Sequence, residues 1–202
     1  MLPRLVDVAL SDATSAPWRA LVCGPASGRV VEVGFGSGRN LPHYPPSVRE
    51  VLAVEPAELG WERAAGRIAE FGRPVRRIGL DGAALPLPDA SVDTVVSTWT
   101  MCTIGDLPSA ITQMRRVLRP GGSLLYVEHV TSPHPGARRI QDRMQPVWGV
   151  FSGGCHLNRD IEGMLEAGGF VVQPLGPQPT PRPDGSRFEL VPFVAGRATP
   201  RL

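Results

Sequence analysis

Glu32-Val33-Gly34-Phe35-Gly36-Ser37-Gly38 is the stretch on which the reading of this chain turns. It follows directly on Arg29–Val33 (RVVEV), a short apolar run that reads as a buried strand, and it opens a turn. Glycine at such a turn lets the backbone bend sharply and come close to a ligand, because a Cβ would collide. A dinucleotide-binding loop wants GxGxxG followed by a long helix whose N-terminus receives a pyrophosphate. Here the spacing is GxGxG, an acid stands two residues before the first glycine, and Pro42, Pro45 and Pro46 cut the next helix short. These departures weigh against a dinucleotide.

Working outward, Glu50–Val54 (EVLAV) reads as a second strand, and Glu58–Phe71 as a helix with Leu59, Ala65, Ile68 and Ala69 near helical spacing. Pro74–Gly79 is a third strand and Val92–Ser97 a fourth. Ala110–Leu118 is helical until Pro120-Gly121-Gly122 punctuates it, and Ser123–Val130 is the fifth strand. Asp160–Ala167 reads as a helix ended by Gly168-Gly169, Phe170–Val172 as a strand, and Arg187–Val194 as the last strand. Strands alternating with helices at this spacing predict an α/β fold, a mostly parallel sheet with helices on both faces. Pro174–Gly185 holds five prolines and reads as a stiff surface loop or as a rim over an acceptor pocket. Ala198–Leu202 is expected to fray.

The 202 residues fit one domain, 1–202, with enough apolar content (42%) to bury a core. With 21 basic and 19 acidic residues, no strong field points at nucleic acid or at a membrane surface. Every basic residue is Arg, so Schiff-base chemistry, pyridoxal phosphate attachment and a Walker-type phosphate lysine are excluded. Cys23, Cys102 and Cys155 are widely spaced and odd in number, which is neither a disulfide framework nor a CxxC zinc pattern. A reduced, cytoplasmic setting and no metal are expected. Arg4, Asp7, Asp12 and Pro17 interrupt any apolar N-terminal run, so no stable membrane anchor is expected.

Glu55 falls at the end of the second strand, 17 residues after Gly38, where a carboxylate can accept from both hydroxyls of a ribose. A solvated strand-end carboxylate is the plainer account, and the glycine loop upstream favours the ribose. Asp81, followed by Gly82-Ala83, is placed either to accept from an adenine amino group or to close a turn.

Taken in order, Glu32-x-Gly34-x-Gly36-x-Gly38, Glu55, Asp81-Gly82-Ala83, Val92–Ser97 and Arg116-Val117-Leu118-Arg119-Pro120-Gly121-Gly122 resemble class I S-adenosylmethionine-dependent methyltransferases over roughly residues 29–130. The resemblance implies a Rossmann-like, seven-stranded sheet whose last strand is antiparallel, with S-adenosyl-L-methionine across the strand C-termini and S-adenosyl-L-homocysteine as product. It implies that Gly34, Gly36 and Gly38 pack against the methionine end, that Glu55 holds the ribose, and that Asp81 and Ala83 flank the adenine. It puts Ser97 and Thr98 beside the amino-acid end and the sulfonium, and counts Glu32, Phe35, Asn40, Pro56 and Gly82 in the same cofactor site.

A narrower likeness rests on Leu41-Pro42-His43-Tyr44-Pro45-Pro46, Cys102, Glu128-His129-Val130 and Gly154-Cys155-His156-Leu157-Asn158-Arg159, which look like the small-molecule methyltransferase-like branch that includes alkyl-thiol methyltransferases. It implies a small-molecule acceptor, with a thiol foremost and a phospholipid head group, quinone carbon or phenol as alternatives; a non-catalytic cofactor-binding protein is the reading from a different class. His129, ending the fifth strand, is the general-base candidate, with a structural histidine as the equal alternative. Glu128 should alternate to the other face. His43 and Tyr44 line either the site or a packed turn. Cys155-His156 makes a poor dyad because adjacent residues seldom face each other, and Cys102 reads as a small core residue. Residues 131–158, with Arg138, Arg139, Arg143, Trp148 and Phe151, are longer than a plain connection and are expected to build the acceptor-side wall; Trp99 is a further candidate for it.

Overall fold

Val30, Val31 and Val33 are buried on both faces of β1 (Gly28–Val33), as a central strand of a parallel sheet requires. The computed structural model describes residues 12–79, 81–180, 182 and 184–201; Arg4, Asp7, Pro181, Pro183 and Leu202 lie outside the described residues. Parallel to β1 on its two sides run β2 (Val48–Val54) and β4 (Val92–Thr98). Beyond β2 lies β3 (Val75–Gly79), and beyond β4 lies β5 (Leu118–His129), both parallel to their neighbours. β7 (Phe193–Pro200) then runs antiparallel between β5 and β6 (Phe170–Pro174). The sheet order is β3-β2-β1-β4-β5-β7-β6, so the chain reverses its direction of growth between β1 and β4. Ligands of open α/β sheets bind outside the strand C-termini at such a reversal.

Each face has its own core. On one, Trp18, Val22 and Cys23 of α1 (Asp12–Cys23) and Ala64 of α2 (Glu58–Phe71) pack with Val30, Val51, Ala53, Val96, Leu125 and Val127. On the other, Leu107, Ala110, Ile111 and Met114 of α3 (Leu107–Val117) and Ile161 and Leu165 of α5 (Ile161–Ala167) cover Val31, Val33, Leu52, Val95, Leu124 and Tyr126. The side-chain carboxylate of Asp106 starts α3 by accepting the Ser109 N–H at 3.1 Å.

β5 starts at Leu118, not Ser123, and runs through Pro120-Gly121-Gly122, although these letters read as punctuation. Three further expectations change. The last strand is not Arg187–Val194 but Phe193–Pro200, and Ala198, expected to fray, is fully buried within it. Gly and Pro usually weaken strand interiors, yet β7, which contains Gly196 and ends at Pro200, is paired on both sides. Gly196 is where it is because a Cβ there would meet the Tyr126 side chain, whose hydroxyl donates to Glu162 at 2.8 Å. Gly196→Ala should therefore lower stability by about 1–2 kcal/mol, read as a shifted urea midpoint with an unchanged slope. A midpoint equal to wild type would show that Tyr126 gives way freely. Second, α1 stands where the sequence showed no element. Pro17 removes one rung inside it, and burial of Trp18, Val22 and Cys23 outweighs that loss. Third, most of residues 131–158 is a helix, α4 (Pro135–Phe151), despite Pro146 within it. Its first turn is capped by His134, whose Nδ1 accepts from the Gly136 and Ala137 N–H groups. The proline-rich stretch after Pro174 is irregular in its described residues.

Candidate functional site

Gly34, Gly36 and Gly38 all take positive φ (78°, 56° and 73°), and they do so for different reasons. At Gly34 a Cβ would collide with the Thr100 side chain, and at Gly38 it would press on Phe35, Leu41 and Ala64 at 3.3 Å. At Gly36 nothing among the described residues lies within 4 Å of where a Cβ would stand. Two of the glycines serve packing; the third leaves open space at the sheet's C-terminal edge. Glu55, directly after β2 and buried, holds this loop. Its Oε2 accepts the Gly36 N–H at 2.6 Å and its Oε1 accepts the Ala57 N–H at 2.7 Å, tying the loop to the start of α2.

Glu32 is buried beneath the loop. Tyr44 Oη donates to one of its oxygens at 2.7 Å and Asn40 Nδ2 to the other at 2.9 Å. Asn40 Oδ1 in turn accepts from Arg19 at 2.6 Å, and Thr98 Oγ1 accepts from both Asn40 (3.1 Å) and Arg19 (3.3 Å). Burial pushes the Glu32 carboxyl up to about 7, against the downward pull of Tyr44, Arg19 and Asn40. Tyr44 thus belongs to this network beneath the loop. Arg19 was absent from the sequence reading because it lies on α1; its guanidinium also stands 4.9 Å from the Trp99 ring centroid.

A cavity of about 470 Å³ opens over these residues. Of the residues counted into the cofactor site, Gly34, Phe35, Gly36, Glu55, Pro56 and Thr98 line it. Trp99, Thr100 and Thr103 from the loop after β4, and Ser152 and Gly153 from the end of α4, form its other wall. Arg19, Arg39 and Arg63 also line it. Glu55 is the lining's one carboxylate, and no histidine lines it among the described residues.

The remaining candidates lie apart from the lining. Asp81 Oδ1 accepts the Ala83 N–H at 2.8 Å, closing the turn after β3, and Gly82 lies against Val33. Glu32, Asn40 and Gly38 support the loop from below. Ser97 Oγ donates to Glu128 at 3.0 Å. Glu128 is buried and gathers the N–H groups of Thr100 (2.9 Å), Met101 (3.0 Å) and Cys102 (3.4 Å), fixing the loop that walls the cavity. Burial raises its pKa against those donors.

His129 leans the other way. Its Nε2 lies 2.7 Å from Cys155 Sγ, and it does not line the cavity. A hydrogen bond from Cys102 together with the His129 ring holds the Cys155 thiol well below the ordinary range. Burial pulls the His129 imidazole down, but the contact with Cys155 outweighs it and leaves the pKa raised. Cys155 and His156 do not pair: the His156 ring faces the Cys102 carbonyl at 3.1 Å. The sequence held no local signal for a contact between His129 and Cys155, because β5 and the turn after α4 meet only in the fold.

The cavity suits an adenosyl cofactor on this chain's own terms. Gly36 leaves a space that a side chain would fill, a buried carboxylate borders it at the end of β2, and Arg19, Arg39 and Arg63 are among its lining residues. Comparison with known proteins agrees. Residues 31–126 match a methyltransferase domain family. The human thiol S-methyltransferase TMT1B is 35% identical over 164 residues, which cover 77% of this chain and 66% of that protein. A phosphatidylethanolamine N-methyltransferase from Cereibacter sphaeroides is 34% identical over 104 residues, covering 50% of this chain and 51% of the relative. The chain therefore spans between half and two thirds of these relatives' lengths. Among solved structures, an S-adenosylmethionine-dependent methyltransferase from Thermotoga maritima superposes with a TM-score of 0.63 at 24% identity, covering 98% of this chain and 97% of that one; this likeness concerns the fold. No helix among the described residues is long and apolar enough to cross a membrane.

Proposed function

We propose that this chain, which carries a class I S-adenosylmethionine-dependent methyltransferase domain, transfers the methyl group to a small-molecule thiol. S-adenosylmethionine supplies an electrophilic methyl on a sulfonium, open to in-line displacement. In this reading Glu55 accepts from the ribose hydroxyls, and Gly36 lets the backbone approach the methionine end. Thr98 and Arg19, locked together by Asn40, border the amino-acid end. Asp81 and Ala83 flank the adenine, and Glu32 and Gly38 keep the loop in place from below. Trp99, Thr103, Ser152 and Gly153 hold the acceptor and exclude water.

The single observation that carries the choice of a thiol is the absence of a free base from the described lining. Its one carboxylate, Glu55, is engaged with two N–H groups, and His129 faces Cys155 instead. A thiol ionises near neutral pH without help. Phenols and amines want a positioned base, whose absence costs about 100-fold or more. The relation to a thiol S-methyltransferase points the same way. Residues 29–130 then form the cofactor-binding core, and 131–158 the acceptor side.

The test is methyl transfer from labelled S-adenosylmethionine to a panel of alkyl thiols, phenols, amines and phospholipid head groups. Thiols should exceed the other acceptors by at least about tenfold, with a rate that follows the ionised fraction of the thiol as pH rises. Faster methylation of amines or phenols would overturn the thiol assignment.

A further inference from the structure

Cys102, His129 and Cys155 arrive from three segments: the loop after β4, the last residue of β5, and the turn after α4. All three are buried, at 2%, 7% and 7% exposure. Their two sulfurs and one ring nitrogen lie within 4.8 Å of one another, and His129 Nε2 stands 2.7 Å from Cys155 Sγ. Both cysteines are free thiols, and among the described residues His129 Nδ1 has no hydrogen-bond partner. The imidazole thus turns its Nε2 edge toward Cys155.

The surroundings hold these residues from behind. Glu128 accepts the Cys102 N–H, and the His156 backbone N–H donates to the Cys102 carbonyl at 2.9 Å. Gln145 donates to the Cys155 carbonyl at 3.0 Å and accepts the Leu157 N–H at 2.7 Å. Arg159 donates to the carbonyls of Met101 (2.7 Å) and Ile104 (2.6 Å). Both cysteine-bearing loops are therefore pinned on either side of the sulfur. Loops fixed in this way bring ligands to a metal at little ordering cost.

We propose that Cys102, His129 and Cys155 form a binding site for one Zn²⁺ ion, with two thiolates and one imidazole as ligands and a fourth position open. Two sulfurs and a nitrogen are soft and borderline donors, which select zinc and not magnesium or calcium. The neighbouring carboxylate, Glu128, is already taken up by four donors and adds no oxygen ligand. Thr100, Thr103 and Gly153 of the cavity wall lie within two residues of Cys102 or Cys155, so a metal here would brace the acceptor side. The site does not depend on which acceptor the enzyme uses.

The experiment is a titration of the reduced, chelator-treated full chain with Co²⁺, then with Zn²⁺. The expected result is one equivalent of Co²⁺ bound per chain, a thiolate-to-cobalt charge-transfer band in the near ultraviolet, and loss of that band as Zn²⁺ displaces cobalt. Cys102→Ser and Cys155→Ser should each weaken Zn²⁺ binding at least about tenfold, and Cys23→Ala should leave the spectrum unchanged. Absence of the band in the wild-type chain would overturn the site, whether or not the variants fold. So would full affinity in both serine variants, or a Cys102–Cys155 disulfide that persists in reductant.

Discussion

Glu55→Ala should weaken the binding of S-adenosyl-L-homocysteine about 10–100-fold, measured by calorimetry, because two losses fall together. In the role proposed for Glu55, a charge-assisted acceptor for the ribose hydroxyls disappears, worth about 1.5–3 kcal/mol. The Gly36 and Ala57 N–H groups also lose the carboxylate that ties the glycine loop to α2. Glu55→Gln separates the two: one amide oxygen keeps a single N–H, the charge is gone, and an intermediate affinity is expected. An unchanged dissociation constant in the alanine variant would remove Glu55 from the site. Circular dichroism of the same samples distinguishes a lost contact from a lost fold.

A second large effect is expected from pH, and it runs through Glu32. Its folded pKa of about 7 lies above the ordinary value of 4.5. The folded state therefore holds a proton that the unfolded chain gives up earlier. Between these two values stability must fall as pH rises, and above the upper one the contribution is lost in full. The span corresponds to about 3 kcal/mol. Glu128, also buried and also shifted upward, adds a slope of the same sign. Glu32→Gln should remove the Glu32 share alone: urea unfolding at about pH 5 and about pH 8 should then differ less in the variant than in wild type. The glutamine amide can face Tyr44, whose hydroxyl can turn to accept. If the two proteins show parallel pH profiles, Glu32 is ionised in the folded state throughout the range.

What the sequence disclosed, it disclosed locally. The glycine loop and the parallel strands around it were legible because each rests on neighbouring residues and on short apolar runs. The helix Glu58–Phe71 was found with its bounds intact for the same reason. The shift of the last strand came from letters that usually break strands, Gly196 and Pro200, at places where the fold needs a missing side chain or has reached an end. Arg19 was hidden by Pro17, which concealed the whole of α1. The meeting of Cys102, His129 and Cys155 had no local trace, since three separate segments supply it. Cys155 and His156 are adjacent, yet the partner of Cys155 is His129 at the end of β5.

Arg19 also bears on where this chain can be cut. A fragment trimmed to the matched region, residues 31–126, would keep the glycine loop, Glu55 and Thr98. It would lack the guanidinium that Asn40 and Thr98 share, and Ser152 and Gly153 from the far wall. Asn40 Oδ1 would lose its charged donor, and one side of the cavity would stand open to water. The smallest piece that recognises the motif is thus smaller than the smallest piece able to enclose a ligand, and excision for binding work has to begin upstream of α1 and run past Gly153.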